Sequence, residues 1–150
     1  MLQIAVPKET AAHENRVALS PAAVSQLIKD EHQVLIEKGA GDASNFLDQD
    51  YADAGATIAT NRNEIFSQAD LVLAVQTPSE DDLGLMKKGS TLICFLWALQ
   101  HPELVEKLKS LGITALGMDA IPRISRAQNM DALSSMSSIA GYKAALMAAS

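Results

Sequence analysis

The chain has 150 residues, 48% of them hydrophobic and 20% charged, which fits one globular domain able to bury a core without disulfides or metal. A formal net charge of −6 repels a nucleic-acid phosphate backbone, and Cys94, the only cysteine, has no intrachain partner for a disulfide. No basic segment or secretory signal precedes Leu2, and the longest apolar run, Leu92–Leu99, is too short to span a bilayer, so the polypeptide itself is expected to be soluble and cytoplasmic.

Leu2–Val6 is the first predicted strand. Beyond it, Ser20-Pro21 places a capping hydroxyl before a proline at the first helical position, and the pattern predicts a helix over Pro21–Glu31. The second strand is Val34–Glu37, followed by Gly39-Ala40-Gly41. A dinucleotide fingerprint would need a third glycine where Ser44 stands, so the pair reads as a turn with positive φ at one glycine. A helix over Asp48–Ala54, a strand at Thr57–Ala59, a helix over Arg62–Gln68 and a strand at Leu71–Val75 come next.

Ser79 opens a helix over Glu80–Met86, whose three leading acids read as a solvated first turn favoured by the helix dipole. Thr91–Leu96 is a strand, with Cys94 a small core residue; Trp97, at its end, can stack on a ligand, but core packing is the expectation. His101-Pro102 starts a helix that runs to Leu111 and stops at Gly112; the last strand is Ile113–Leu116. From Asp131, apolar residues at 133, 136, 140 and 147 recur at helical spacing, and the pattern is still running at Ser150. The final helix, about 131–150, therefore reads as cut partway, and the chain as the N-terminal piece of something longer. Regular βα alternation with nearly continuous apolar strands predicts an α/β fold, an open, mostly parallel sheet with helices on both faces. Residues 1–150 would form a single Rossmann- or flavodoxin-like lobe that lacks the GxGxxG fingerprint.

One segment carries more polar chemistry than a connection needs. Between the last strand and the last helix lie Arg123, Ser125, Arg126, Gln128, Asp131 and Ser134. Each has an ordinary role: Asp131 as the helix N-cap, the serines in the first turn, the arginines in solvent. Together, on one loop beyond a strand of an open sheet, they point to a ligand site. Arg16, on the loop after the first strand, can fork onto a carboxylate or phosphate, or pair with Glu14; the sequence leaves both open. Met118, Met130, Met136 and Met147 are expected to fill gaps in the core or an interface. His13, His32 and His101 have no metal-binding spacing, so no metal site is expected.

The runs PRISRAQ, DALSSM and IAGYKA, uninterrupted from Pro122, resemble the nicotinamide nucleotide transhydrogenase alpha subunit. AVPKE, ENRVALSP, EKGAG and DAGA extend the resemblance over nearly the whole chain and are shared with alanine dehydrogenases. The resemblance implies two α/β lobes with NAD(H) in the cleft between them and the glycine fingerprint in the second, so that this chain is the first lobe, inactive alone. It implies direct hydride transfer between NADH and NADP+, coupled to proton passage, with NADP(H)-binding and membrane-spanning components as partners. It also implies a homodimer held at the inner membrane through those partners. Arg123, Arg126, Gln128, Asp131 and Ser134 would then be cofactor-binding, with Arg123, Gln128 and Asp131 nearest the reacting ring. Alanine dehydrogenases carry a lysine and a histidine where Gln76 and Trp97 stand, and neither residue supplies their charge or proton transfer. An amino-acid dehydrogenase lobe and a non-catalytic interaction subunit remain the alternatives. A flavodoxin-like signalling module fits poorly, since it wants acids just after the first strand and an aspartate ending the third.

Overall fold

A computed structural model describes residues 1–149, and the predicted continuation of the last helix into Ser150 lies outside the described residues. Six strands, β1 (Gln3–Val6), β2 (Gln33–Glu37), β3 (Thr57–Ala59), β4 (Leu71–Leu73), β5 (Thr91–Cys94) and β6 (Thr114–Gly117), form one sheet in the order β3-β2-β1-β4-β5-β6. Every pairing is parallel, so the sheet is wholly parallel among the described residues. The order reverses beside β1, the doubly wound arrangement whose carboxyl edge opens a crevice at the reversal. Ile4 sits opposite both Val34 and Leu71, which fixes β1 at the centre.

The pleat divides the apolar side chains between two cores. Ala5, Leu35, Val72 and Leu92 face Phe66 of α3 (Arg62–Gln68), Leu83 of α4 (Glu80–Leu85) and Leu108 of α5 (Pro102–Leu111). Ile4, Val6, Val34 and Ile36 face Val24 of α1 (Pro21–Lys29) and Tyr51 of α2 (Asp48–Asp53). Helices therefore cover both faces, as the continuous apolar strands require. Phe66, Ile65 and Leu83 are fully buried, and such a side chain contributes about 1.5–3 kcal/mol on leaving water.

The helix ends follow their side-chain chemistry. The Ala23 N–H donates to Ser20 Oγ at 3.3 Å, the Asp82 N–H to Ser79 Oγ at 3.2 Å, and Gly112 ends α5 at φ 69°. Gly39 takes φ 71° and donates its N–H to Asp48 Oδ1 at 2.8 Å, so the glycine pair is a turn. Gly41 is needed for a different reason: a Cβ there would lie 2.6 Å from the Phe46 carbonyl oxygen.

Several expectations change. β4 ends at Leu73 and not Val75, because the Val75 N–H donates to the Glu9 carboxylate at 2.6 Å instead of to a neighbouring strand. β5 likewise ends at Cys94, and Trp97 is 40% exposed, outside the core. Its φ of 50° is a left-handed backbone of the kind that costs a bulky residue about 1–3 kcal/mol, and it swings the chain away toward α5. Met130 and Met147 are also exposed, so neither fills the core.

A further change concerns Asp82, which is buried and not part of a solvated turn. Arg62 Nε and Nη2 donate to its two oxygens at 2.9 and 2.8 Å, and Ser79 Oγ adds a third bond at 2.8 Å. Arg62 Nη1 donates to Glu37 Oε2 at 2.6 Å and to the Lys8 carbonyl at 3.2 Å, joining four segments at the carboxyl edge. Burial raises the Asp82 carboxyl, but the bonds from Arg62 and Ser79 outweigh it and leave it below its ordinary value of 3.8. A depressed acid stabilises the fold above its ordinary range and loses that contribution as the pH falls toward the folded value. Arg62→Met should cost about 2–3 kcal/mol in urea unfolding at neutral pH, between the surface and buried limits for ion pairs. The deficit should shrink as the medium is acidified below the ordinary aspartate range. An undiminished deficit in acid would show that packing, not charge, holds this corner.

Candidate functional site

The loops that follow β1, β4, β5 and β6 converge at the carboxyl edge, where an open α/β sheet takes its ligands. After β1, Glu9 turns back and its carboxylate accepts the N–H groups of Val75 at 2.6 Å and Gln76 at 3.2 Å. Desolvation raises the Glu9 carboxyl above its ordinary value despite those two bonds, with the Glu14 charge adding to the rise. Gln76 Nε2 then donates to Glu14 Oε2 at 2.8 Å, and Arg16 forks onto Glu14 through Nε at 2.7 Å and Nη2 at 2.5 Å.

Of the two readings open for Arg16, the structure realises the pairing with Glu14. That fork holds the Glu14 carboxyl down at about 2. The guanidinium also stands 5.6 Å over the Phe95 ring, and Phe95 stacks on Trp97 with 24° between the ring planes. An anion would have to displace Glu14 to reach the bidentate edge of Arg16. A keto-acid carboxylate would therefore compete with Glu14 for Arg16, and Gln76 supplies no cation.

The polar segment after β6 lies on the surface. Ser125–Met130 form a 3₁₀ turn pinned by the buried Ala127, and α6 (Ala132–Ala148) begins directly after Asp131. Asp131 Oδ1 accepts the Ser134 N–H at 2.9 Å, and Oδ2 accepts the Ser134 hydroxyl at 2.5 Å. These bonds hold the Asp131 carboxyl below its ordinary value, with the Arg123 charge assisting. The capping role expected for Asp131 is thus real, and it fixes where Ser134 stands.

Arg123, Gln128, Asp131 and Ser134 line one shallow hollow of about 290 Å³ together with Ile124 and Ser125. Arg126 is exposed and is not part of that lining. Beside the hollow, an apolar groove of about 640 Å³ runs over the sheet face, walled by Leu73, Ile93, Phe95, Met118 and Met136, with Arg16 on its edge. Met118 and Met136 thus line a groove and do not plug the interior.

The hollow offers a guanidinium, an amide that both donates and accepts, and a carboxylate already committed to the helix start. That set suits an amide-bearing or phosphate-bearing ligand and contains no activated nucleophile. Sequence reasoning missed the Glu9–Gln76–Glu14–Arg16 chain and the Arg62 cluster. The available signal was an acid two or three residues beyond a predicted strand, placed to accept ladder N–H groups left over at the edge.

The family model described as alanine dehydrogenase/PNT, N-terminal domain, matches residues 5–140. The NAD(P) transhydrogenase subunit alpha of Haemophilus influenzae is 45% identical over 97% of the chain, which spans 28% of that protein's length. Among solved structures, the transhydrogenase from Sinorhizobium meliloti superposes with a TM-score of 0.93 at 35% identity over 98% of the chain, which covers 44% of that chain. An L-alanine dehydrogenase superposes with a TM-score of 0.76 at 36% identity over 80% of the chain and 33% of its own.

Asp131→Ala should leave the sheet intact and free the first turn of α6, a helix with no buried residue of its own. Hydrogen exchange at the Ser134 and Ser135 amides should quicken by roughly fivefold, the effect of losing a side-chain cap. Unchanged exchange would show that the 3₁₀ turn alone positions the site.

Proposed function

The chain belongs to the alanine dehydrogenase/PNT N-terminal domain family, and from that premise we propose that it is the first lobe of the NAD(H)-binding part of a proton-translocating NAD(P) transhydrogenase alpha subunit. The observation that carries the reading is the gathering of Arg123, Gln128, Asp131 and Ser134 around one surface hollow at the carboxyl edge of the sheet. A second lobe of the same polypeptide would close the other side of the cleft. NAD(H) would lie between the lobes, with NADP(H) carried by a partner component and the membrane crossed by others. Two copies of the subunit would pair as a homodimer, attached to the inner membrane through those partners. Among the described residues no helix is long and apolar enough to cross a membrane.

The hollow's chemistry fits a nicotinamide nucleotide. The bound nucleotides supply the hydride and its acceptor, so the chain's residues have only to position, orient and exclude water. Gln128 presents an amide that matches a carboxamide in both directions, and its side chain makes no hydrogen bond to other described residues. Arg123 places a cation where an amide oxygen or a phosphate would sit. Asp131 holds Ser134 in register and lends a negative field that favours a positively charged ring over a neutral one. Arg126, outside the hollow, would meet the phosphate end of the nucleotide or the opposing component.

Alanine dehydrogenase chemistry fits less well. It asks for a positive charge and a proton carrier at the ends of β4 and β5, where Gln76 is bonded to Glu14 and Trp97 is an indole.

In the assembled enzyme, Gln128→Asn should slow hydride transfer in stopped-flow experiments by at least roughly tenfold, a misplacement effect, while NADH affinity stays nearly constant. A variant running at full rate would remove Gln128 from the mechanism. The 150-residue chain alone should bind NADH weakly at best in calorimetric titration, since half the cleft is supplied by the second lobe. Tight binding by this lobe would contradict the two-sided site.

A further inference from the structure

One acid at the carboxyl edge is bound differently from its neighbours. Glu37, Asp48 and Asp119 each accept a single backbone N–H. Half-buried Glu9 accepts two, from Val75 at 2.6 Å and from Gln76 at 3.2 Å, and so ties the loop after β1 to the end of β4. We propose that Glu9 is a proton-operated latch: on taking up a proton its carboxylate lets go of Gln76, while the fork of Arg16 on Glu14 stays closed.

The geometry limits what a proton can release. A carboxylate accepts through both oxygens, but a carboxylic acid carries its proton on one of them and keeps one good acceptor. Oε1 faces Val75 and Oε2 faces Gln76. The shorter bond keeps the acceptor, and the longer one, at Gln76, is given up. Gln76 then moves alone, because its neighbours are tied to the chain leaving β5. The Val75 carbonyl accepts the Phe95 N–H at 2.9 Å, and the Thr77 hydroxyl donates to the Phe95 carbonyl at 3.1 Å. A swing of Gln76 withdraws its Nε2 from Glu14 Oε2, 2.8 Å away in the closed state. Glu14 still holds Arg16 through both arms of the fork.

The charges around Glu9 set the order in which this edge titrates. Burial raises its carboxyl above the ordinary 4.5 despite the two N–H bonds, with the Glu14 charge adding to the rise and the Arg16 charge opposing it. Glu14 itself is held down at about 2 by Arg16, so it stays ionised while Glu9 takes its proton. Lys8 and Arg62 border the same small cavity as Glu9, about 210 Å³ in volume, and Arg62 is committed to Asp82 and Glu37. Cys94 of β5 feels the Glu9 charge, and burial pushes that thiol up to about 11, so it stays neutral in acid. A raised acid contributes most to stability below its ordinary range, and that contribution is lost as the pH climbs through the folded value. Protonating Glu9 therefore opens one residue of the edge without unfolding the sheet.

The latch does not depend on what occupies the Arg123 hollow, and an NMR titration of the 150-residue chain tests it. The Val75 and Gln76 amide resonances should move together with the Glu9 carboxyl resonance, at a midpoint above 4.5. Below that midpoint, hydrogen exchange at the Gln76 amide, corrected for the intrinsic effect of pH, should quicken by roughly fivefold, the worth of one hydrogen bond. The Arg16 Nε–H resonance should hold its position over the same range. In Glu9→Gln the Gln76 amide should exchange at the faster rate at every pH, with no transition. Glu14→Gln should lower the midpoint, since it removes a like charge and unties Arg16. A midpoint at or below 4.5, an Arg16 resonance that moves with Gln76, a transition that survives in Glu9→Gln, or an unmoved midpoint in Glu14→Gln would each overturn the latch. Should either variant fail to fold, the titration of the unmodified chain decides alone.

Discussion

A parallel strand leaves its last N–H groups unanswered once its neighbours stop, and in this chain carboxylates answer them. Glu37 accepts from Lys8 at 2.7 Å, Glu9 from Val75 and Gln76, Asp119 from Leu96, and Asp48 from Gly39. Each bond ties the loop leaving one strand to the loop or edge of another. Buried or half-buried backbone donors without partners would be costly, so these acids are a condition of the sheet ending where it does. Part of the net charge of −6 is therefore structural, spent on the carboxyl edge and not displayed to partners.

That constraint shapes the chemistry available there. The acids at the edge draw the cations inward: Arg62 bridges Glu37 and Asp82, and Arg16 is forked by Glu14. The cations left with exposed side chains and no carboxylate within ion-pair distance include Arg123 and Arg126, on the segment after β6. The uncommitted polar side chains thus lie away from the strand reversal, at the start of α6. There Asp131, through Ser134, converts an exposed loop into a defined surface. The apolar groove beside it, with Leu73 and Ile93 on its floor, leaves part of the sheet face open.

The switch point itself is built from mutually satisfied groups. Glu9, Gln76, Glu14, Arg16, Phe95 and Trp97 form a continuous chain of hydrogen bonds and ring contacts from β1 across β4 to β5. A lysine in place of Gln76 would bring a second cation against Glu14 and loosen its hold on Arg16. The side chain at the end of β4 therefore shares the Glu14 carboxylate with the arginine.

The sequence alone was sufficient for the order of the elements and for most of the hollow's lining, although it also grouped Arg126, which lies outside. Apolar runs of strand length, Ser20-Pro21, Ser79, Asp131 and Gly112 are local signals, because a strand's apolar pattern and a helix's cap are decided within a few residues. The boundaries of β3, α3 and α5 follow directly from such signals. Arg123, Gln128, Asp131 and Ser134 were legible as a group because they lie within one turn and one helix start. What tertiary structure decided is everything that spans distance along the chain: the strand order, the early ends of β4 and β5, the burial of Asp82 under an arginine twenty residues earlier, and the fate of Arg16. Long-range pairings set those outcomes, since a carboxylate placed by one loop can claim an N–H on a strand sixty-six residues away, and no local pattern records that choice.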